Sequence, residues 1–181
     1  MKKKILVACL CVALAVLTIA GTTLAYLTAT TGPVTNTFTV GNIDITLTET
    51  TTDYKMVPGS TIAKDPKVTV KAGSEACWLF VKVEESTNLD DFITYTIADG
   101  WTALTGVDGV YYREVSATTT DTDYAVLKDN RVAVKDTVTK PMMDAITKGT
   151  DTNPTLTFTA YAVQKSGVNT VADAWSKFPT T

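Results

Sequence analysis

Histidine is absent from the 181-residue sequence. That gap removes the commonest general base and zinc ligand, and with them HExxH zinc proteases and every nucleophile activated by an imidazole. Walker loops and dinucleotide-binding glycine motifs are missing too. Cysteine is scarce. Of three residues, Cys9 and Cys11 fall in the leader described below, and a lone Cys77 cannot staple its own chain. Stability must therefore come from a buried core, and the Cys77 thiol, set in Cys77-Trp78-Leu79-Phe80-Val81, reads as buried and inert. Charge is thin, at 19% of residues, and leans acidic. An acidic surface repels phosphate backbones, so no nucleic-acid partner is expected. After the leader, no apolar run is long enough to cross a bilayer.

The leader has the layout of a secretory signal peptide. Lys2, Lys3 and Lys4 form a positive start, and Ile5 to Ala20 is an uncharged apolar run of 16 residues. Small residues are needed at −3 and −1, and Thr23-Leu24-Ala25 supplies them, which places the cut between Ala25 and Tyr26. The run is shorter than the roughly 20 residues a bilayer span requires, so removal is expected in place of a stable membrane anchor. Leu6-Val7-Ala8-Cys9 fits a lipobox by letters, but too little apolar chain precedes it. Without the three leader lysines, 13 of the 16 basic side chains remain against 19 acidic ones, a net charge of −6. The mature chain of about 156 residues should bury close to 70% of its unfolded surface, enough for a core without disulfides. Secretion to the cell surface or extracellular matrix is the expected location.

Threonine accounts for 36 residues. It is β-branched, suits a pleated half-wet surface and weakens helices. Period-two alternation runs through Thr155 to Val163, with threonines on one face and Leu156, Phe158 and alanines on the other. Val68 and Val70 alternate with Lys67, Thr69 and Lys71. Ile93, Tyr95 and Ile97 alternate with Thr94 and Thr96, and Val132 and Val134 lead on to Val138. Cys77 to Val81 is apolar on both faces, as a central strand is when its second side is covered. Turn signals separate these runs at Val57-Pro58-Gly59-Ser60, Lys71-Ala72-Gly73-Ser74, Gly106-Val107-Asp108-Gly109 and residues 148–154. The pattern predicts an all-β fold, an antiparallel jelly-roll-like β-sandwich. Ala117 to Asp123 reads as an exposed loop. A short C-terminal helix is expected over Asn169 to Phe178, where Val171, Trp175 and Phe178 share a face and Thr170 with Asp173 begins a cap. Helical turns are possible near Asn88–Phe92 and Met142–Lys148. The organisation is thus a leader at 1–25, an N-terminal segment at 26–40 and a β-sandwich domain at 41–181.

The alternation changes phase near the start of the mature chain. Phe38 and Val40 are even-numbered, while Ile43, Ile45 and Leu47 are odd-numbered. A flat strand cannot bury both sets on one side. Either a glycine bulge at Gly41-Asn42 absorbs the slip within one sheet, or residues before Gly41 pack on a different partner from those after it.

Candidate chemistry is thin. Asp90-Asp91 would be adjacent strand carboxylates pointing to opposite faces, which does not suit paired glycosidase chemistry. Asp121-Thr122-Asp123 resembles a calcium-loop fragment without its glycine and distant glutamate. Trp78, Trp101, Tyr111 and Tyr112 could line a sugar platform, although core packing explains them as well. No catalytic residue, metal or cofactor is expected, and the chain reads as a non-enzyme. A secreted adhesin or carbohydrate-binding module is the alternative function.

Thr23 to Thr28, followed by Asn36-Thr37-Phe38-Thr39-Val40-Gly41-Asn42-Ile43-Asp44-Ile45-Thr46-Leu47-Thr48-Glu49, resembles the processing region of the TasA/camelysin family. Val57 to Ser60, Ala76 to Glu84, and Tyr161-Ala162-Val163-Gln164 with the helix bearing Ala174-Trp175 are similar to blocks in related members. The resemblance implies release by a SipW-type signal peptidase and a jelly-roll subunit of extracellular biofilm-matrix fibres. It further implies that the segment from Tyr26 and Leu27 to about Val40 leaves its own body and adds a strand to the next subunit, with Gly41 as hinge. Val34, Phe38 and Val40 would fill the acceptor, which is the chain itself or a paralogous matrix subunit. Such a contact is heterologous and propagates. Gly32-Pro33 would confine the pairing to one side of that break. The metalloprotease activity linked to camelysin is not expected of a chain without histidine.

Overall fold

The computed structural model describes residues 41–149 and 152–178. The leader and the segment 26–40, with Ala25, Tyr26, Leu27, Val34, Phe38 and Val40, lie outside them. Among the described residues, strands form three antiparallel sheets and helix is scarce. The first sheet orders β1 (Ile45–Thr48), β3 (Lys67–Val70) and β8 (Thr122–Ala125) as β1-β3-β8. The second runs β10-β4-β7-β6, from β10 (Leu156–Gln164) through β4 (Cys77–Glu85) and β7 (Val110–Val115) to β6 (Thr102–Ala103). The third is β2-β9-β5, of β2 (Thr61–Ala63), β9 (Arg131–Val134) and β5 (Ile93–Thr94).

β4 organises the interior because both its faces are apolar. Cys77, Leu79 and Val81 turn towards the first sheet and pack with Val68, Val70, Val115 and Val126. Trp78 and Phe80 turn the other way and meet Tyr112, Tyr161, Ala174, Trp175 and Phe178. The expected cover on the second side of this strand is the C-terminal helix, Val171–Trp175. Its cap is reciprocal: the Asp173 amide donates to Thr170 Oγ1 at 3.1 Å, and that hydroxyl donates to Asp173 Oδ2 at 2.7 Å. A third cluster gathers Leu89, Phe92, Leu127, Val132, Val134 and Val138 near Met142, Met143 and Ile146 of helix Lys140–Thr147.

Turn chemistry follows the sequence. At Val57-Pro58-Gly59-Ser60 the Ser60 amide donates to the Val57 carbonyl at 3.0 Å, with Gly59 at φ +75° in the position a type II turn reserves for glycine. Gly109 is required by proximity as well: a Cβ there would lie 2.4 Å from the Val83 carbonyl oxygen.

Three expectations are corrected. The loop expected over Ala117–Asp123 ends earlier, because β8 begins at Thr122 and Asp123 pairs with Thr69. Tertiary ion pairs explain the difference. Lys67 Nζ lies 2.8 Å from Asp123, Thr69 donates its hydroxyl to the same carboxylate at 2.6 Å, and Lys71 reaches Asp121 at 2.9 Å. The helical turn expected near Asn88–Phe92 forms as Leu89–Phe92, and it replaces the strand geometry assumed for Asp90 and Asp91, which are both exposed while Leu89 and Phe92 are buried. The Ile93–Ile97 alternation yields only the two-residue β5, with Ile97 in an isolated bridge to Leu127.

The β3–β8 ion pairs predict an acid response. The Lys67 ammonium and the Thr69 hydroxyl hold the Asp123 carboxyl below its usual range, and the Ala72 amide with Lys71 does the same for Asp121. A depressed folded pKa contributes stability above the unfolded value, about 3.9, which is lost as pH falls through the folded one. Wild type should therefore lose melting temperature more steeply than Asp121→Asn/Asp123→Asn as pH drops below about 4. Parallel slopes would show that the pairs contribute nothing. Because both carboxylates are exposed, the expected difference is small.

Candidate functional site

Hydrogen bonding at the two ends of β10 determines which way its backbone faces. The Lys165 amide donates to the Ala76 carbonyl at 2.8 Å, and the Ser86 amide donates to the Thr155 carbonyl at 2.9 Å. With Leu156↔Glu85 to Gln164↔Cys77 as the register, odd-numbered residues of β10 exchange hydrogen bonds with β4. The N–H and C=O groups of Leu156, Phe158, Ala160, Ala162 and Gln164 therefore point away from β4. Among the described residues no strand pairs with this outer edge.

Natural sheets blunt their edges with proline, charge, bulges or shortness. β6, the opposite edge of the same sheet, is two residues long. β10 is nine residues long and reads Leu-Thr-Phe-Thr-Ala-Tyr-Ala-Val-Gln, without charge or proline. Its even-numbered side chains Phe158, Ala160 and Ala162 face the interior between the first two sheets and are half-buried there. They taper from bulky to small towards the C-terminal end. At that end an open cleft of about 450 Å³ is lined by Ile43, Glu75, Ala162, Val163 and Val168, with Gly41 at its rim.

Gly41, the expected hinge, is the first described residue, and a Cβ there would lie 3.2 Å from Glu75 Cγ. The chain then runs beside the turn that ends β3. The Glu75 amide donates to the Asn42 carbonyl and the Lys71 amide to the Asp44 carbonyl, each at 2.9 Å. Ser74 Oγ accepts from the Asp44 amide at 3.2 Å. Ile43, Ile45 and Leu47 all pack on the interior cluster, so the odd phase after Gly41 is the buried one. Further upstream the partner ends, because the chain turns at Lys71–Ser74 and enters β4 of the other sheet.

A second cleft, of about 500 Å³, opens beside Tyr54, Ile62, Lys64, Leu156 and Thr157. Lys64 Nζ, on its lining, lies 2.7 Å from Glu49 Oε1, and both side chains are nearly buried. Tyr54 donates its hydroxyl to the same oxygen at 2.9 Å. The Lys64 ammonium also lies 4.8 Å from the Tyr54 ring centre and 5.4 Å from that of Phe158. Burial and the Glu49 carboxylate both push the Tyr54 hydroxyl pKa up. The pair neutralises itself, so its chemistry is that of a latch joining the end of β1 to the segment after β2. No spacing pattern in the sequence signals this cluster.

The other candidates are dispersed. Trp78 is buried and donates its indole N–H to the Val168 carbonyl at 3.0 Å. Tyr112 shares its side of the sheet, whereas Trp101 and Tyr111 lie on the opposite side. Trp101 donates to the Ala125 carbonyl at 2.8 Å and stacks with Arg113, whose guanidinium carbon also sits 4.1 Å from the Tyr124 ring centre. These four aromatics form no common platform. Asp121 and Asp123 are engaged by lysines, and among the described residues no group of three or more acidic, cysteine or histidine side chains is placed to hold a metal. Cys77 is fully buried, and burial pushes its thiol up to about 11. No helix among the described residues is long and apolar enough to cross a membrane.

Compared with family models, with curated proteins and with solved structures, the chain finds no match.

Proposed function

We propose that this protein is an exported structural subunit that polymerises into extracellular biofilm-matrix fibres by N-terminal strand exchange. After cleavage by a SipW-type signal peptidase, the segment 26–40 of one copy adds a strand to the jelly-roll body of the next copy or of a paralogous subunit. The observation that carries the proposal is a long, uncharged, proline-free sheet edge with one unpaired side among the described residues. Backbone groups along such an edge give affinity to an added strand, and alternate side chains give it register.

The phase change supports the same view. A bulge at Gly41 would keep residues 38–47 in one sheet, but that solution needs a strand beside residues 38–40. The described partner turns away at Lys71–Ser74. The odd-numbered set is seated in the body, which leaves the even-numbered Val34, Phe38 and Val40 for another partner. The resemblance of the 23–49 segment to the TasA/camelysin family adds the expectation of secretion and fibre formation.

Electron microscopy of the processed protein tests this proposal. Mature protein beginning at Tyr26 should form filaments, and deletion of residues 26–40 should leave soluble monomers. Filaments unchanged by the deletion would refute strand donation.

A further inference from the structure

We infer that the acceptor for the donated segment is the outer edge of β10, with Phe38 of a second copy seated beside Ala160 and Ala162. This assignment rests on the strand-exchange proposal above and adds to it the place, the phase and the anchoring side chain.

Phase comes first. Residues 156, 158, 160, 162 and 164 each direct one N–H and one C=O away from β4, and Leu156, Phe158, Ala160 and Ala162 send their side chains inward, while Gln164 at the end is exposed. A strand added there must likewise send one alternate set of side chains inward. In the segment 26–40 the even-numbered set after the Gly32-Pro33 break is Val34, Asn36, Phe38 and Val40, apolar at all but Asn36, with Thr35, Thr37 and Thr39 on the other face. Seven residues from Val34 to Val40 extend about 23 Å, and nine residues of β10 about 30 Å, so the edge accommodates the whole paired stretch.

Volume comes second. Leu156 and Phe158 fill the interior at one end of β10, but Ala160 and Ala162 leave it thin at the other, where the cleft of about 450 Å³ opens. Phe38 is the largest inward-facing side chain between Val34 and Val40. Neither β10 nor residues 34–40 carry charge, and the cleft's own charged lining, Glu75 and Lys177, is of opposite sign.

The parity of β10 supplies the test. Proline at Ala162 removes an outward N–H that makes no bond to β4, whereas proline at Val163 would cut the ladder. Mature Ala162→Pro should keep the circular dichroism of the wild-type monomer and form no filaments. Phe38→Ala should raise the critical concentration for assembly about 10–100-fold, as removal of a buried aromatic anchor does. Residue-resolved hydrogen exchange on wild type then decides the site without a variant. In the monomer, the amides of Thr157, Thr159, Tyr161 and Val163 should be slow and those of Phe158, Ala160, Ala162 and Gln164 fast. In filaments the even-numbered set should slow at least about 10-fold.

Filaments whose even-numbered amides stay fast would overturn the β10 assignment while leaving strand exchange standing, as would Ala162→Pro filaments at wild-type yield. Protection of those amides already in the monomer would put the chain's own segment on the edge and overturn the intermolecular assignment. Absence of filaments from wild type itself would instead sink the underlying proposal.

Discussion

Replacing Phe80 with alanine is expected to remove about 3–5 kcal/mol of folding stability. The ring is fully buried on the outer side of β4, with Trp175 at 5.3 Å, Phe178 at 5.8 Å and Tyr112 at 6.3 Å between centroids. Each aromatic contact adds about 0.5–1.5 kcal/mol beyond the area it buries, and the cavity left behind adds a further penalty. For a chain of this size the loss corresponds to a fall in melting temperature of roughly 6–20 °C. The effect should also be local. The five-residue helix Val171–Trp175 is far too short to hold itself together, so it depends on this packing. Near-ultraviolet circular dichroism should lose aromatic signal, and the amides that close the helix, Ala174 and Ser176, should exchange faster. A melting temperature within about 3 °C of wild type would mean the cluster does not bear the load assigned to it.

Lys64→Met is expected to cost about 3 kcal/mol, because it leaves Glu49 with its charge and without its cation in a nearly closed site. The side chains of Lys64 and Glu49 retain only 10% and 16% of their exposure. The double variant Lys64→Met/Glu49→Leu should recover most of that loss, since replacing both members of a buried pair with apolar groups is often neutral. Chemical denaturation of the four proteins forms a cycle, and a coupling energy near zero would show that the pair is not a latch. Tyr54 makes the site more demanding. Its hydroxyl donates to Glu49 and also meets the Thr51 carbonyl, so the double variant removes one of its two acceptors and recovery should fall slightly short of complete.

These two clusters differ in how legible they were. The Phe80 side of β4 was readable because five consecutive apolar residues demand cover on both faces, and the spacing of Val171, Trp175 and Phe178 supplied a helix able to provide it. The Lys64–Glu49–Tyr54 cluster was unreadable, because its members belong to no shared period. They meet only where the end of β1 and the segment after β2 converge on Phe158. The loop expected at Ala117–Asp123 ends two residues early for a related reason. Threonine and aspartate favour turns locally, but Lys67, Thr69 and Lys71 across the gap hold Asp121 and Asp123 beside β3. At Asp90-Asp91 the helical turn expected near Asn88–Phe92 holds, because one turn meets the burial of Leu89 and Phe92, and strand-face geometry does not apply.

The proposed acceptor divides in the same way. Alternation over Thr155–Val163 identified a strand and its inward face, because side-chain period follows directly from backbone pleating. It could not say that β10 ends its sheet among the described residues.

By itself, the sequence determined what is local: period-two strands, glycine turns, a capped final helix and the inverted phase on either side of Gly41. Those depend on side-chain chemistry acting over a few residues. Only the tertiary structure decided which strand ends a sheet among the described residues, which way its backbone groups point and where lysine meets carboxylate. Sheet order joins residues far apart in the chain, as β10 beside β4 and β8 beside β3 do, and no pattern within either strand encodes its partner.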